Sequence, residues 1–564
     1  MRMWMWLWWS ATVLAGTGTA WSATTYPTPP LPIAPMPSAS QLRFQQREMV
    51  LFFHFGMNTF TDSEWGDGRA DPATFDPARL DARQWMRAAK LAGFELVMLT
   101  VKHHDGFCLW PTRYSDYSVR RSPWRNGAGD VFRDFVTAAR DAELDVGVYL
   151  SPWDRHEETY GDTVAYNEHY MAQLRELLTG YGPIAEVWLD GAKGEDAKNM
   201  SYMYTEWHAL IHQLQPGANI FSDAGPDIRW VGNEWGEAGP TCWSMINASA
   251  LHIGQSGDVL GASSTADDRA EGAGAPEADE EMEILELVVS GKSGGSSIDA
   301  KPCIAVQCSC CGELVCCGYL NSGDPRGTDW LPAECDVSIR PGWFWHANES
   351  PWPVETLLDI YYKSTGRNCV LLLNVPPNSS GLVAAEDLRT LIEFRSALDD
   401  IFAVSRAAAA VQVLASSTRG GPARSSPFSP SHVLDDDPST YWAADEGHSS
   451  AFLSLEFEDQ IQFNVLKLQE AVAFGQRVSK YSVLVWAEGN NDRAEGGWDA
   501  VCHGTTIGYK KLDRFRVSQT RRVRVVFEEA RGPPIIASVG LYLDSWSREA
   551  LIRPGQNLSS GTFQ

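Results

Sequence analysis

The chain has 564 residues, which favours a large enzyme-sized unit joined to a smaller module. Its formal net charge of −26 argues against nucleic acid as a partner, because no basic stripe offsets the charge and phosphate backbones would be repelled. The 23 Trp, 17 Tyr and 22 Phe suit a very large core or the ring-stacking surfaces that bind sugars, and core packing must account for most of them. A neutral substrate fits these properties best.

Residues 1–22 are predicted to be a cleaved secretory signal. They contain an early Arg2, an apolar run and the small-residue pattern Ala20-Trp21-Ser22. A membrane anchor is the alternative, but the run is shorter than the ~20 residues that a spanning helix needs, and no membrane partner is predicted. Export agrees with five glycosylation sequons, at Asn199, Asn247, Asn348, Asn378 and Asn557.

Short apolar runs alternate with helical patterns from residue 41 to about 225. MVLFFHFG (49–56) predicts a strand, 81–93 predicts a helix that stops at Gly93, and 94–101 predicts the next strand. The cycle repeats, with predicted helices in 130–144, 167–182 and 201–217 and predicted strands in 145–152, 184–191 and 218–225. Continuous apolar strands of this kind indicate a parallel sheet covered by helices.

The sheet is predicted to close into a (β/α)8-like TIM barrel. No Gly-x-Gly-x-x-Gly turn follows the first strand, which weakens a dinucleotide-binding interpretation. A barrel collects the C-terminal ends of its strands on one face, where such enzymes keep their chemistry. The predicted strand ends carry His54, His103, His104, Tyr149, Trp153, Asp190 and Asp223. Loops are polar in any protein, so part of this pattern can be incidental.

Two composition changes divide the rest of the chain. An atypical insert at 262–318 is acidic and rich in small residues before a cluster of cysteines, which predicts disorder or a surface excursion. Its cysteines lack paired C-x-x-C units, so no zinc site is expected there.

The short β-rich runs of 410–545 predict an all-β sandwich that either binds glycan or braces the barrel, and bracing is slightly favoured.

Candidate carboxyl groups lie at the ends of two predicted strands. Retaining glycosidases need a nucleophilic carboxylate and a second carboxyl about 5 Å away that protonates the leaving oxygen. Asp190, in EVWLDG, suits the first task, although position alone makes a helix N-cap equally plausible. Glu234 and Glu237 suit the second, since neighbouring tryptophans would raise a carboxyl pKa, and position does not choose between them.

The segment KHHDGF (102–107) places two histidines at a strand end. With His54 they predict either a clamp for sugar hydroxyls or a metal site, and a lone pair of histidines is more often structural. Gly106 would permit close approach of the backbone to a ligand.

Several motifs in this order resemble the α-L-fucosidases of glycoside hydrolase family 29. They are FFHFGMNTF, SEWGDG, KHHDGFCLWPT, VGVYLSPWDR, EVWLDG, DIRWVGNE, ECDVSIRPGWFWH and LLLNVPPNSSGL. The similarity is closest to the plant-type branch that cleaves α-1,3/1,4-linked fucose, and it covers a catalytic barrel at 40–400 apart from the insert. VLDDDPSTYWAADEG (433–447) resembles the discoidin-like, galactose-binding-type modules attached to glycosidases.

The resemblance implies a role for each matching residue. Asp190 would be the nucleophile and Glu234 the acid/base. The residues implied to hold the fucose are His54, Glu64, Trp65, His103, His104, Tyr149 and Trp188, with Trp343 lining the pocket.

The function that the resemblance implies is a secreted, retaining α-L-fucosidase without a metal or organic cofactor. Its partner would be a fucosylated oligosaccharide or glycoprotein glycan (N-glycans and Lewis-type ends), met in the apoplast. Two alternatives stay open: a non-catalytic glycan-binding protein inactivated by the insert, which departs from the family, and a retaining glycosidase for another sugar.

Overall fold

Eight parallel strands close into a barrel in the computed structural model, which describes residues 27–194, 196–248, 306–307, 314–315, 319–421, 426–488 and 496–546. The barrel strands are β1 Met49–Phe53, β2 Leu96–Lys102, β3 Asp145–Leu150, β4 Glu186–Trp188, β5 Asn219–Ser222, β6 Ile228–Trp230, β7 Ala333–Ser338 and β8 Cys369–Asn374. Each pairs in parallel with its neighbours in the sequence, and β8 pairs with β1. The predicted barrel is confirmed.

Helices precede, separate and follow the barrel strands along the chain. They are α1 Ala39–Arg47, α2 Met57–Thr61, α3 Ala82–Leu91, α4 Val131–Asp141, α5 Thr163–Gly180, α6 Tyr204–Leu214, α7 Tyr319–Ser322, α8 Val354–Lys363 and α9 Ala385–Phe402. The helices α3, α4 and α5 begin where Asp81, Asp130 and Asp162 accept hydrogen bonds from first-turn amides. Between β5 and β6 the chain makes only a short turn. No helix of the described residues is long and apolar enough to cross a membrane.

A stack of aromatic rings fills the barrel interior beneath the strand ends. Trp188 lies almost parallel to Phe221, with ring centroids 4.2 Å apart, and its ring centroid is 5.3 Å from that of Tyr149. Phe52 on β1 completes the layer, 5.7 Å from Trp188. Such large buried rings leave little freedom for the backbone at the ends of these strands, so the side chains that follow are held in place.

The C-terminal part is one antiparallel seven-stranded sheet around its own core, and the predicted all-β fold is confirmed. Its strands are β9 Gln412–Ala415, β10 Trp442–Ala443, β11 Ala451–Glu470, β12 Val478–Ala487, β13 Gly497–Gly504, β14 Lys511–Ala530 and β15 Ile535–Tyr542. The two 20-residue strands, β11 and β14, pair with register shifts. These irregularities bend the strands, which lets the sheet wrap around buried Trp442, Phe463 and Phe527.

The sheet binds directly to the barrel through charged and polar groups. Lys510 contacts Glu48 and the Tyr361 hydroxyl, and Arg514 pairs with Asp359 on α8. The Thr506 hydroxyl accepts a hydrogen bond from the Cys242 amide at 2.8 Å. These contacts support bracing of the barrel as a role for this domain.

The 262–318 insert lies almost entirely outside the described residues, but its flanks are held together. Met245–Ile246 pairs in antiparallel fashion with Asp329–Trp330. The buried Arg229 guanidinium donates to backbone carbonyls on both flanks, those of Trp243 and Leu320, each at 2.8 Å. The two flanks therefore pack together against β6.

We expect Asp387→Ala to lower the free energy of unfolding by about 3–5 kcal/mol, because it removes one partner of a buried ion pair. The Arg340 Nε donates to both Asp387 carboxyl oxygens at 3.0 Å, and both side chains are inaccessible to solvent. Urea unfolding at pH 7 measures the change. Asp116→Ala, which breaks the exposed pair with Arg121, is the control and should shift the value by less than about 0.5 kcal/mol. Equal losses in the two variants would contradict the expectation.

Candidate active site

The ends of β1 to β4 bring the predicted polar residues into one pocket. The ring centroid of His103 is 4.1 Å from that of His104, 5.6 Å from that of His54 and 5.6 Å from that of Tyr149. Asp190 follows β4, with its Oδ2 3.6 Å from the His104 Nε2. Residues from four different strand ends thus meet, as the barrel prediction requires.

Asp190 is held by two donors. The Tyr149 hydroxyl donates to Oδ2 at 2.7 Å, and the Ala192 amide donates to Oδ1 at 2.8 Å. The side chain keeps 16% of its surface exposed, so the carboxylate is oriented but still reachable. The Ala192 bond has the i to i+2 pattern of an Asx turn, and no helix begins here, so this structure does not use Asp190 as a helix N-cap.

Gly191 is required by a neighbouring side chain. A Cβ atom at this position would lie 2.0 Å from one carboxyl oxygen of Asp223 and 2.4 Å from the other. The absence of a side chain at Gly191 therefore makes room for the Asp223 carboxyl.

The tautomer of His54 follows from its hydrogen bonds. Asn374 donates through Nδ2 to the Ser338 hydroxyl and the Trp343 carbonyl, so its Oδ1 is the acceptor that faces His54 Nδ1 at 2.9 Å. His54 therefore carries its proton on Nδ1 and leaves Nε2 as an acceptor. Burial lowers the pKa of His54 to about 3, so the ring is neutral at working pH.

His103 and His104 take opposite tautomers. Asn58 donates through Nδ2 to the Glu64 carbonyl and to His103 Nδ1, so the His103 proton sits on Nε2. The Ser151 hydroxyl donates to the Trp153 carbonyl, so its oxygen accepts the Nδ1 proton of His104 at 2.7 Å. Burial also lowers the pKa of both rings.

The three imidazoles thus present two acceptors and one donor. A sugar hydroxyl both donates and accepts, so this mixture matches a row of hydroxyl groups. His103, His104 and Asp190 also place three ligand-type atoms within 4.8 Å of one another in the described part of the chain. A metal ion needs a lone pair on each imidazole nitrogen that coordinates it. The donor proton on His103 favours hydroxyl binding over metal binding at these atoms.

Glu64 joins the loop after β1 to the loop after β7. Its carboxylate accepts from the Trp343 and Phe344 amides at 2.9 and 3.2 Å and lies 2.7 Å from His346 Nε2. This contact with Glu64 raises the pKa of His346 to about 9, so the imidazole is charged at neutral pH. Glu64 thereby positions Trp343, whose ring centroid is 5.0 Å from that of His54.

The other two predicted indoles occupy different positions. Trp65 lies at the pocket edge, with its ring at right angles to Trp153 and the centroids 5.3 Å apart. Trp188 is 7% exposed, and its Nε1 donates to the buried Glu334 at 2.8 Å. Trp188 therefore contributes to the layer beneath Tyr149 more than to the pocket wall.

Glu234 and Glu237 make different contacts in the structure. Glu234 lies by the pocket, where the Trp343 Nε1 donates to its Oε2 at 3.3 Å. Glu237 is bound by Lys363 and Arg367, with N···O distances of 3.4 and 3.2 Å. Sequence position could not distinguish the two residues, and the ion pairs assign Glu237 to the surrounding scaffold.

Sequence reasoning missed the residues that fix the rings. Asn374, Ser151, Asn58 and Glu334 were not singled out, although each orients a predicted site residue. Asn374 had a signal, since a polar residue ended the apolar run LLLN. Glu334 had none, since nothing in ECDVS indicates a partner on β4.

A pocket with an oriented carboxylate, neutral imidazoles and bordering indoles, at the C-terminal end of a parallel barrel, defines a carbohydrate-active hydrolase. Comparison with known proteins specifies it further. The α-L-fucosidase family model matches residues 38–234, and the F5/8 type C domain model matches residues 412–539. The chain belongs to the α-L-fucosidases of glycoside hydrolase family 29.

Relatives of similar length support the assignment of the chain to this family. The chain is 47% identical to α-L-fucosidase 1 of Arabidopsis thaliana, covering 92% of this chain and 89% of the relative. It is 48% identical to a putative α-L-fucosidase 1 of rice, covering 95% and 90%. The crystal structure of SpGH29 is 36% identical with a TM-score of 0.75, covering 91% of this chain and 100% of that chain. A Ruminococcus gnavus fucosidase in complex with fucose is 30% identical with a TM-score of 0.75, covering 92% and 97%.

We expect Tyr149→Phe to lower kcat/KM for a fucoside about 10- to 150-fold, because a hydrogen bond to a charged acceptor contributes about 1.5–3 kcal/mol. Steady-state kinetics on nitrophenyl α-L-fucoside measures the loss. Tyr170→Phe is the matched control, since its buried hydroxyl donates to the Leu150 carbonyl at 2.6 Å and not to Asp190. A drop in the control as large as that of Tyr149→Phe would point to a general folding defect.

Proposed function

We propose that the protein cleaves terminal α-1,3/1,4-linked L-fucose with retention of configuration. Asp190 attacks the anomeric carbon and forms a glycosyl-enzyme bond, while Glu234 protonates the departing oxygen. Glu234 then removes a proton from water, which attacks the same carbon and releases fucose. The observation that carries this proposal is the orientation of Asp190 by Tyr149 and Ala192 beside three neutral imidazoles.

The contacts of the two glutamates support Glu234 as the acid/base. The group must change protonation twice in each cycle, and lasting ion pairs with two cations would hold it ionised. Glu237 carries two such pairs, which disfavour it for this role, and Glu234 borders the pocket through its contact with Trp343. The remaining proposed contacts to fucose are those of His54, His103 and His104, with Trp65 and Trp343 excluding water.

The proposed substrates are fucosylated N-glycans and Lewis-type ends, on free oligosaccharides or on glycoproteins. The similarity of nearly the whole chain to two plant proteins, one named α-L-fucosidase 1 and one named putative α-L-fucosidase 1, supports L-fucose as the sugar that is released. No metal or organic cofactor takes part in the proposed steps. The F5/8-type domain, residues 410–545, is proposed to brace the barrel. The contacts of Thr506 and Lys510 with the barrel agree with this role.

A single NMR experiment tests both linkage and stereochemistry. The protein is incubated with α-1,2-, α-1,3-, α-1,4- and α-1,6-linked fucosyl oligosaccharides, and the anomeric proton of the first fucose released is followed. We expect the α-1,3 and α-1,4 substrates to react fastest and α-L-fucose to appear before mutarotation. Initial release of the β anomer would reject retention, and a preference for α-1,2 or α-1,6 would reject the linkage assignment.

The assignment of the acid/base predicts a dependence on the leaving group. We expect Glu234→Ala to lose on the order of 10²-fold or more in kcat/KM for a disaccharide and far less for a fucoside with an acidic phenol as leaving group, which departs without a proton. Glu237→Ala is the control and should show no such selectivity. Leaving-group selectivity in the Glu237 variant and not in the Glu234 variant would reverse the assignment.

We also propose that the protein is exported to the apoplast as a glycoprotein after removal of residues 1–22. The Cys335–Cys369 disulfide, which links β7 to β8, supports an oxidising compartment. Two sequons, at Asn199 and Asn348, are exposed and accessible to glycosylation. N-terminal sequencing and intact mass of protein secreted by plant cells should show a start near residue 23 and added glycan. An intact N-terminus on cell-retained protein would contradict export.

A further inference from the structure

Asp223 is a buried carboxyl beside the pocket for which the proposed mechanism has no use. It is the first residue after β5, and 6% of its surface is exposed. Its two carboxyl oxygens lie directly against the backbone of Gly191, the residue after Asp190. Asp223 and Asp190 thus stand on neighbouring strand ends, on either side of that glycine.

The neighbouring carboxyl groups accept hydrogen bonds from other residues, whereas the donor to the Asp223 carboxyl in the described structure is its own backbone amide. Asp190 accepts from Tyr149 and Ala192, and Asp336 accepts from the Trp230 Nε1 at 2.7 Å. Within the part of the chain that the structure describes, no other residue donates a hydrogen bond to the Asp223 carboxyl, and no hydrogen bond joins it to Asp190. One backbone donor does not replace the hydration that a buried carboxylate loses, so a neutral, protonated form is favoured.

The charged surroundings act in the same direction. Burial first, and then the charges of Asp190 and Asp336, raise the pKa of Asp223 to about 8. The third titratable neighbour is Tyr204 on α6, a buried phenol whose own pKa is raised well above its usual value. None of these groups supplies a positive charge that would ionise Asp223, so below about pH 8 the residue carries an O–H.

We propose that Asp223 is a further substrate-binding residue, a neutral carboxylic acid whose O–H donates a hydrogen bond to a hydroxyl group of the sugar ring that Asp190 attacks. The proposal rests on the proposed function, since it places that sugar against Asp190. A neutral acid can donate beside Asp190 without adding a second negative charge to the pocket. The two acceptor imidazoles cannot do this, because their pocket-facing nitrogens carry no proton.

The test uses α-L-fucosyl fluoride, whose leaving group departs without a proton, so that Glu234 does not dominate the pH profile. For the wild-type protein we expect kcat/KM to fall as pH rises through about 8, when Asp223 loses its proton. Asp223→Asn keeps a donor and cannot ionise, so its profile should lack that fall. Asp223→Ala should lose about 3- to 10-fold at pH 6, since it removes a hydrogen bond between neutral groups.

Glu470→Gln provides the control for a buried carboxyl elsewhere. Glu470 lies on β11 of the C-terminal sheet, and burial raises its pKa to about 7. Because Glu470 is not part of the sugar pocket, the variant should keep the wild-type pH profile. The proposal is overturned if Asp223→Asn retains the alkaline fall, if Asp223→Ala stays within twofold of wild type, or if the loss appears only with disaccharides, which would assign the contact to the leaving sugar. Failure of the wild-type protein to release fluoride would instead reject the proposed function.

Discussion

Closure of the barrel by β8 against β1 is the constraint on which the site depends. The pairing of Phe52 with Asn374 places the last residue of β8 beside the end of β1. Asn374 then accepts from both the His54 amide and its Nδ1, and donates to the loop that carries Trp343. If the sheet were open between these strands, Asn374 would fix neither the tautomer of His54 nor the position of Trp343.

The pocket is built mainly from neutral groups although the chain is strongly acidic. Burial keeps the three histidines uncharged, and the proton retained by Asp223 removes a second negative charge from the neighbourhood of Asp190. The Asp190 carboxylate therefore lies next to polar groups that are mostly uncharged. In such a setting, positive charge that develops on a sugar ring is stabilised by the adjacent Asp190 carboxylate.

Local patterns in the sequence predicted the barrel and the strand-end residues, because both depend on short-range properties. Continuous apolar runs mark buried parallel strands, and an Asp before an apolar helical pattern marks a helix start, as at Asp81 and Asp130. The partners that complete the site could not be predicted in this way. His54 and Asn374 are 320 positions apart, and Trp188 and Glu334 are 146 apart, so only the folded chain reveals these contacts. The cations that bind Glu237, Lys363 and Arg367, are 126 and 130 positions away from it.

The antiparallel pairing of Met245–Ile246 with Asp329–Trp330 affects how the fold responds to changes in the length of the segment between them. Arg229 and this short ladder hold both described flanks, residues 243–246 and 320–330, against β6. The entropy of closing a loop grows only slowly with its length, so residues gained or lost between these flanks change the stability of the fold little. A change in chain length between these flanks is therefore expected to leave the sugar pocket on the neighbouring strand ends in place.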